Sequence, residues 1–132
     1  MIKKNEKIIL ASSSTSRKNI LKNIGIKFSC IPHNINEQNI KEELRKKKYS
    51  VKQITKELAK RKSTNNKKIK EKIIMGCDTM IELNNKYIDK AKNTKDAKRK
   101  LKKLSGKKHK IYSSIYLSIN NKYLWSYTGE SK

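Results

Sequence analysis

A short apolar run that stops abruptly in hydroxyl residues constrains this chain more than any other feature. Ile8, Ile9, Leu10 and Ala11 have strand character, and Ser12, Ser13, Ser14, Thr15 and Ser16 follow at once. Arg17 comes next, and Ile20, Leu21 and Ile24 then repeat at helical spacing up to Gly25. A strand, a tight polar turn and a helix N-terminus predict an α/β sheet with a ligand crevice at the carboxyl end of the strand. The free N–H groups of a first helical turn suit an anion. Hydroxyls of Ser12, Ser14 and Ser16 would add donors, and Arg17 a fixed cationic fork. The same residues suit equally well a plain cap, with Ser14 or Ser16 closing the helix end. No glycine occupies the turn, so it is neither a Walker loop nor a dinucleotide fingerprint.

The rest of the chain repeats this alternation. Lys27 to Pro32 reads as a second strand, and Ile40 and Leu44 mark a short helix before a run of lysines. Ser50-Val51-Lys52-Gln53 is a capping box, followed by Ile54, Leu58 and Ala59 at helical spacing. The most apolar segment, Ile73 to Ile81, predicts a central buried strand that turns at Asn84-Asn85 into Lys86-Tyr87-Ile88. Thr94 is the expected cap of a further helix, with Ala97, Leu101 and Leu104 as its apolar stripe and Gly106 at its end. His109 to Asn120 alternates at period two, turns at Asn120-Asn121 and returns through Tyr123 to Tyr127 as an expected open edge. The fold class is α/β: a mixed central β-sheet with flanking helices, in one domain over residues 1–132.

Composition bounds the partners. The net charge is +24, which points to polyanions, but of 35 basic residues 31 are Lys and only four Arg. Phosphate clamping and base readout favour Arg. The Lys excess travels with Asn and Ile, all A/T-rich in codon, so nucleotide bias accounts for it as well as a polyanionic partner does. Non-specific contact with nucleic acid at low salt is expected as a side effect. Cys30 and Cys77 show no C-x-x-C spacing, which fits a reducing compartment, and with His33 and His109 they are too scattered for a zinc site. No signal peptide or membrane-spanning run is evident, so a cytoplasmic protein with no membrane partner is expected.

Asp78 is the sharpest candidate for chemistry. A carboxylate inside an apolar strand must be paired, metal-bound or at the strand's mouth, and Gly76 just before it lets a ligand or backbone approach. The plain alternative is a strand-end Asp bonding nearby amides. One acid on a buried strand, set against a hydroxyl-rich turn with basic residues, suits displacement at phosphorus. On that reading Asp78 faces the Ser12–Arg17 turn, with a triphosphate and its divalent ion between them.

The order of motifs resembles the Maf family of nucleoside triphosphate pyrophosphatases. The family's L-A-S-x-S-P-x-R stands here as Leu10 to Arg17, its D-E pair as Asn36-Glu37, and its L-A-x-x-K-A as Leu58 to Ser63. Its G-A-D-T stands as Gly76-Cys77-Asp78-Thr79, its K-P as Lys90-Ala91, and its L-S-G-x-x-H as Leu104 to His109. The resemblance implies a fold similar to that of inosine triphosphate pyrophosphatases. It also implies hydrolysis of a nucleoside triphosphate to the monophosphate and pyrophosphate with Mg²⁺ or Mn²⁺. Carried over by position, Asp78 is the catalytic proton acceptor, and Arg17, Lys62 and Lys90 bind phosphate with Ser12 and Ser14 lining the turn. Glu37 joins Asp78 as a metal or water partner. Thr79 matches the branch acting on dTTP and UTP, whereas Ser16 occupies a specificity position and fits neither branch, which leaves a modified nucleotide open. Thr15 and Ala91 replace family prolines, and Asn36 replaces an acid. Family members run further, so this chain corresponds to their N-terminal two-thirds, and the expectation is reduced activity alone, with a homodimer admitted. The competing readings are a non-catalytic basic nucleic-acid-binding protein and a decayed remnant of the family.

Overall fold

The computed structural model describes residues 7–66, 68–88 and 93–132. Ten elements follow in order: β1 (Ile8–Ala11), α1 (Thr15–Asn23), β2 (Ser29–Ile31), α2 (Glu37–Lys46), α3 (Val51–Thr64), β3 (Ile73–Leu83), β4 (Lys86–Ile88), α4 (Thr94–Leu104), β5 (Lys110–Ile119) and β6 (Lys122–Ser131). The strands form one six-stranded mixed sheet in the order β2-β1-β3-β5-β6, with β4 paired to β3 off that path. The first crossovers are parallel and carry helices, whereas β3, β5 and β6 run antiparallel. Both Asn-Asn turns adopt positive φ at each residue, as a two-residue hairpin requires.

The long strand β3 organises the sheet. One edge pairs with β5 from Ile73 to Glu82. The other edge is shared: β1 pairs only with Ile73 to Met75, and β4 only with Ile81 to Leu83. Among the described residues, Gly76 to Met80 therefore have no partner on that edge, and they border a notch between the end of β1 and β4. At about 3.3 Å per residue the gap from Met75 to Ile81 is roughly 20 Å long.

Helix α3 covers one sheet face. Val51, Ile54 and Leu58 pack with Leu44 of α2, Met80 of β3 and Tyr112 of β5. The capping box is formed, with Ser50 accepting from the Gln53 amide at 3.1 Å and Gln53 Oε1 accepting from the Ser50 amide at 2.8 Å. On the other face Leu21 of α1 packs with Leu10 and Cys77. Gly76 sets the depth of the α3 contact. A Cβ there would lie 2.1 Å from the Ala59 carbonyl oxygen and 2.6 Å from the Ser63 nitrogen, both backbone atoms. The approach allowed by Gly76 is thus that of a helix backbone.

On β5 the buried residues are Tyr112, Ser114 and Ser118, while Ile111, Ile115, Leu117 and Ile119 are half-buried. The reason is contact with α3: Ser63 Oγ donates to the Ile74 carbonyl at 2.7 Å and lies 2.6 Å from Ser118 Oγ, so small hydroxyls fill the tight seam. The stripe of α4 buries no residue fully: Ala97 and Leu104 are half-buried, and Leu101 is 67% exposed. Its cap is Asn93, whose side chain accepts from the Asp96 amide at 2.8 Å, rather than Thr94. The open edge is as expected: β6 ends the sheet, with Tyr123, Leu124, Trp125 and Tyr127 exposed. Replacing Gly76 by alanine should cost about 2 to 3 kcal/mol, since backbone must move to admit the methyl. Urea unfolding of Gly76→Ala measures it, and an unchanged midpoint would show that α3 does not sit at this depth.

Candidate functional site

Lys62 lies at the centre of the notch. It sits on the face of α3 that Gly76 draws against the sheet, and it is 2% exposed, the largest fully buried side chain described. An ammonium so deep needs anionic or carbonyl partners. It donates to Asp78 Oδ1 at 3.1 Å and to the Cys77 carbonyl at 3.2 Å, and it forms an ion pair with Glu37 of α2. Asp78 and Glu37 are thereby brought together through one cation. Asp78 itself is 4% exposed, and its Oδ2 has no hydrogen-bond partner among the described residues. Burial pushes the Asp78 carboxyl above its usual value of 3.8. Lys62 opposes this through charge and hydrogen bond, Glu37 adds to it, and Lys41 opposes it.

The hydroxyl turn stands at the other wall. Ser14 caps α1, accepting from the Arg17 amide at 3.4 Å. Ser12 is buried, and its Oγ accepts from the Ser14 amide at 3.1 Å and from the Arg17 guanidinium at 3.4 Å. Arg17 reaches toward β3: burial raises the Cys77 thiol above its ordinary range, and the charge of Arg17 is the largest influence against that rise. The cap reading is thus met at Ser14, and Arg17 folds back onto Ser12 in the same turn.

The two halves do not face one another as the sequence reading supposed. Along β3 the side chains alternate, so Asp78 leaves on the α3 side and Cys77 on the α1 side. No hydrogen bond among the described residues joins Ser12, Ser14 or Arg17 to Asp78 or Lys62. They share a strand end instead: Asp78 stands three residues beyond the last β1 partner, Met75, in the direction in which β1 runs out into Ser12. Arg17 approaches this strand end from the α1 side, and Lys62 from the α3 side.

Other expected residues have lesser places. Ser16 is exposed on the first turn of α1, and Thr79 is exposed with its hydroxyl 3.2 Å from Ser113 Oγ. Lys90 lies outside the described residues, as does Ala91. His109 is in a connection, with Nδ1 3.2 Å from the Lys107 carbonyl. Lys41 was missed by sequence reasoning. It is 9% exposed on α2, one helical turn after Glu37, and its ammonium lies 5.7 Å from the centre of the Tyr87 ring. Among 31 lysines only burial singles it out. Exposed lysines occur on all four helices, including Lys22, Lys46, Lys56 and Lys102, so the charge is not gathered on one face. No described helix is long and apolar enough to cross a membrane.

Removing the central ammonium should be severe. Lys62→Met leaves two carboxylates facing each other in a buried setting, at a cost of about 3 to 5 kcal/mol. Thermal unfolding at neutral pH measures the loss. A melting temperature equal to wild type would mean that the carboxylates do not depend on Lys62.

Comparison with known proteins places the chain in a family and a fold. A family model described as Maf-like protein matches residues 7–131. A nucleoside triphosphate pyrophosphatase of Pelagibacter ubique is 37% identical over 127 residues, which are 96% of this chain and 65% of the relative. A 7-methyl-GTP pyrophosphatase of Brucella abortus is 32% identical over 90% of this chain and 60% of its own length. A dTTP/UTP pyrophosphatase of Ruminiclostridium cellulolyticum is 35% identical over 87% and 58%. The chain thus spans somewhat under two thirds of the curated relatives it matches. The solved structure of the Staphylococcus aureus Ham1 protein superposes with a TM-score of 0.54 at 19% identity, over 93% of this chain and 68% of that one, which places the fold. With nearly its whole length matched, this chain belongs to the Maf-like protein family.

Proposed function

We propose that the notch is a nucleoside triphosphate pyrophosphatase site, hydrolysing the triphosphate to a monophosphate and pyrophosphate. The observation that carries this reading is the buried Asp78 carboxylate: one oxygen is held by Lys62, and the other has no hydrogen-bond partner among the described residues. In this reading Oδ2 accepts the proton of a water that attacks the α-phosphorus. The bond from that phosphorus to the bridging oxygen then breaks, and pyrophosphate leaves with the electron pair. Lys62 holds Asp78 in place and adds positive charge beside the reacting phosphate. Arg17, with Ser12 and the amides of the capped turn, binds the phosphate chain at the β1 wall. Lys90 is proposed as a further phosphate ligand by its motif position alone.

Glu37 and Asp78 fit a divalent ion that arrives with the phosphates. Mg²⁺ is usually held by one or two carboxylates together with substrate oxygens. Among the described residues no cluster of three or more His, Cys, Asp or Glu gathers, so the phosphates would complete the coordination. Bound there, Mg²⁺ or Mn²⁺ would neutralise charge on the phosphates as pyrophosphate departs. For the base, Thr79 favours dTTP or UTP, and the exposed Ser16 leaves room for a modified nucleotide. Contact with RNA or DNA at low salt follows from the charge alone and is proposed as incidental.

Pyrophosphate release from dTTP, UTP and 7-methyl-GTP with Mg²⁺ tests the reading. Asp78→Asn should lower kcat on the order of a hundredfold to ten-thousandfold. Activity unchanged by that substitution would remove Asp78 from its role. The pH profile has a defined sign. Asp78 acts as the anion, and burial raises its pKa above 3.8. Activity should therefore fall with falling pH at a point above the usual aspartate value of 3.8, and a profile flat down through that value would contradict the assignment.

A further inference from the structure

One residue beyond Asp78, on the other face of the sheet, two hydroxyls stand side by side in the open. Thr79 of β3 pairs with Ser113 of β5, and their side-chain oxygens lie 3.2 Å apart. Both residues are exposed, and neither hydroxyl has another hydrogen-bond partner among the described residues. Because side chains alternate along β3, Thr79 shares the α1 side with Cys77 and not the α3 side with Asp78. It lies two residues beyond Cys77, about 7 Å along the strand. Arg17 approaches β3 from that same side.

An aromatic ring stands beside the pair. Ser113 pairs on its other edge with Gly129 of β6. Gly129 brings no side chain, and the Tyr127 ring leans into that place: a Cβ on Gly129 would lie 3.3 Å from Tyr127 Cε1. The ring is therefore a neighbour of Ser113, since paired residues have Cα atoms about 5 Å apart. Tyr127 is 60% exposed. Trp125 holds it from the other direction along the strand, with ring centroids 6.3 Å apart and planes inclined by 11°.

The three groups have a common chemistry. A hydroxyl carries one proton and two lone pairs. Within the pair one proton is used internally, and the second proton and the remaining lone pairs are left for a guest. The pair thus presents one donor beside acceptors. An N–H next to a C=O, as on the amide edge of uracil, thymine or guanine, complements it. An open aromatic face stacks on the same flat rings. Phosphate would call for cations instead, and these three residues carry none.

We propose that Thr79, Ser113 and Tyr127 form a shelf for the nucleobase, with Ser113 and Tyr127 as further specificity-determining residues of this site. The identity of the substrate as a nucleoside triphosphate rests on the pyrophosphatase reading. The base packs on the Tyr127 ring with its amide edge at the hydroxyl pair, and the phosphates lie toward Arg17 on the same side of the sheet.

The test uses the 132-residue chain with Mg²⁺ and the α,β-imido analogue of dTTP, which is not cleaved between the α- and β-phosphorus. It is titrated calorimetrically beside inorganic tripolyphosphate. Wild type should bind the analogue more tightly than tripolyphosphate, and equal Kd values would overturn the proposal. Ser113→Ala should raise Kd for the analogue about fivefold, in line with one neutral hydrogen bond, and leave Kd for tripolyphosphate within twofold. Ser113→Thr, which keeps the hydroxyl, should recover the affinity. Tyr127→Leu should weaken the analogue about fivefold or more. Tyr123 is equally exposed on β6, but it pairs with Ser118 and packs against Tyr116 on the α3 side. Tyr123→Leu should therefore change Kd less than twofold. Equal effects of the two tyrosine substitutions would overturn the shelf, as would an equal loss for the analogue and for tripolyphosphate. If Ser113→Ala does not fold by circular dichroism, Tyr127→Leu set against Tyr123→Leu decides. Pyrophosphate release from dTTP separates the two claims. Base-dependent binding without hydrolysis would sink the enzymatic reading and leave the shelf in place. With hydrolysis, Ser113→Ala should raise KM for dTTP while kcat changes less.

Discussion

Helix α3 meets β3 at a point where only a glycine fits, and that contact decides what the molecule can do. The backbone of Ala59 and Ser63 occupies the space that a Cβ on Gly76 would claim. Lys62 is thereby carried below the sheet surface, to within hydrogen-bond distance of Cys77 and Asp78. A few ångströms of retreat would leave a solvated lysine and an unpaired acid. The seam is closed by Ser63 and Ser118, two hydroxyls that bond to each other and to backbone. Larger apolar side chains would bury more area. They would also lift the helix and lose the lysine.

Burying an ammonium with two carboxylates is a poor way to gain stability. Desolvation consumes most of what the Coulomb attraction supplies, and an apolar triad of similar volume is often at least as stable. Under the proposed pyrophosphatase reading, the arrangement prepares the site for a charged substrate. Asp78 is held by one oxygen; burial, and less strongly Glu37, push its carboxyl up, and Lys62 and then Lys41 oppose the rise without cancelling it. Such opposed influences are common where a group must change its proton at work.

The notch itself arises from unequal strand lengths. β3 has eleven residues, whereas β1 has four and β4 three, and both pair on the same edge. Among the described residues, five residues of the longest strand have no strand partner on that side. A crevice at a strand's carboxyl end is usual in open α/β sheets. Beyond β3 the sheet continues into β5 and β6, whose α1-side face keeps Trp125 stacked on Tyr127 in partial exposure.

Much of this was legible in order along the chain, because local signals are strong there. The hydroxyl turn, the capping box at Ser50, the Asn-Asn turns and the buried acid at Asp78 each rest on residues close in sequence. The elements follow from them with small shifts at their ends. The motif series likewise marked Glu37, Lys62 and Asp78 before any distance was known. What the sequence could not state is depth and side. Lys62 and Lys41 look like any other lysine until α2 and α3 press them inward, and burial is a property of the whole packing. The period-two pattern of β5 names two faces but not which one a helix will cover, and α3 covers the one lined by serines. The apolar stripe of α4 is a local fact that leaves no residue of the helix fully buried. Residue type and spacing thus determined the elements and the candidate chemistry. Only the tertiary structure decided that strand ends of unequal length open a notch, and that one glycine lowers a lysine into it.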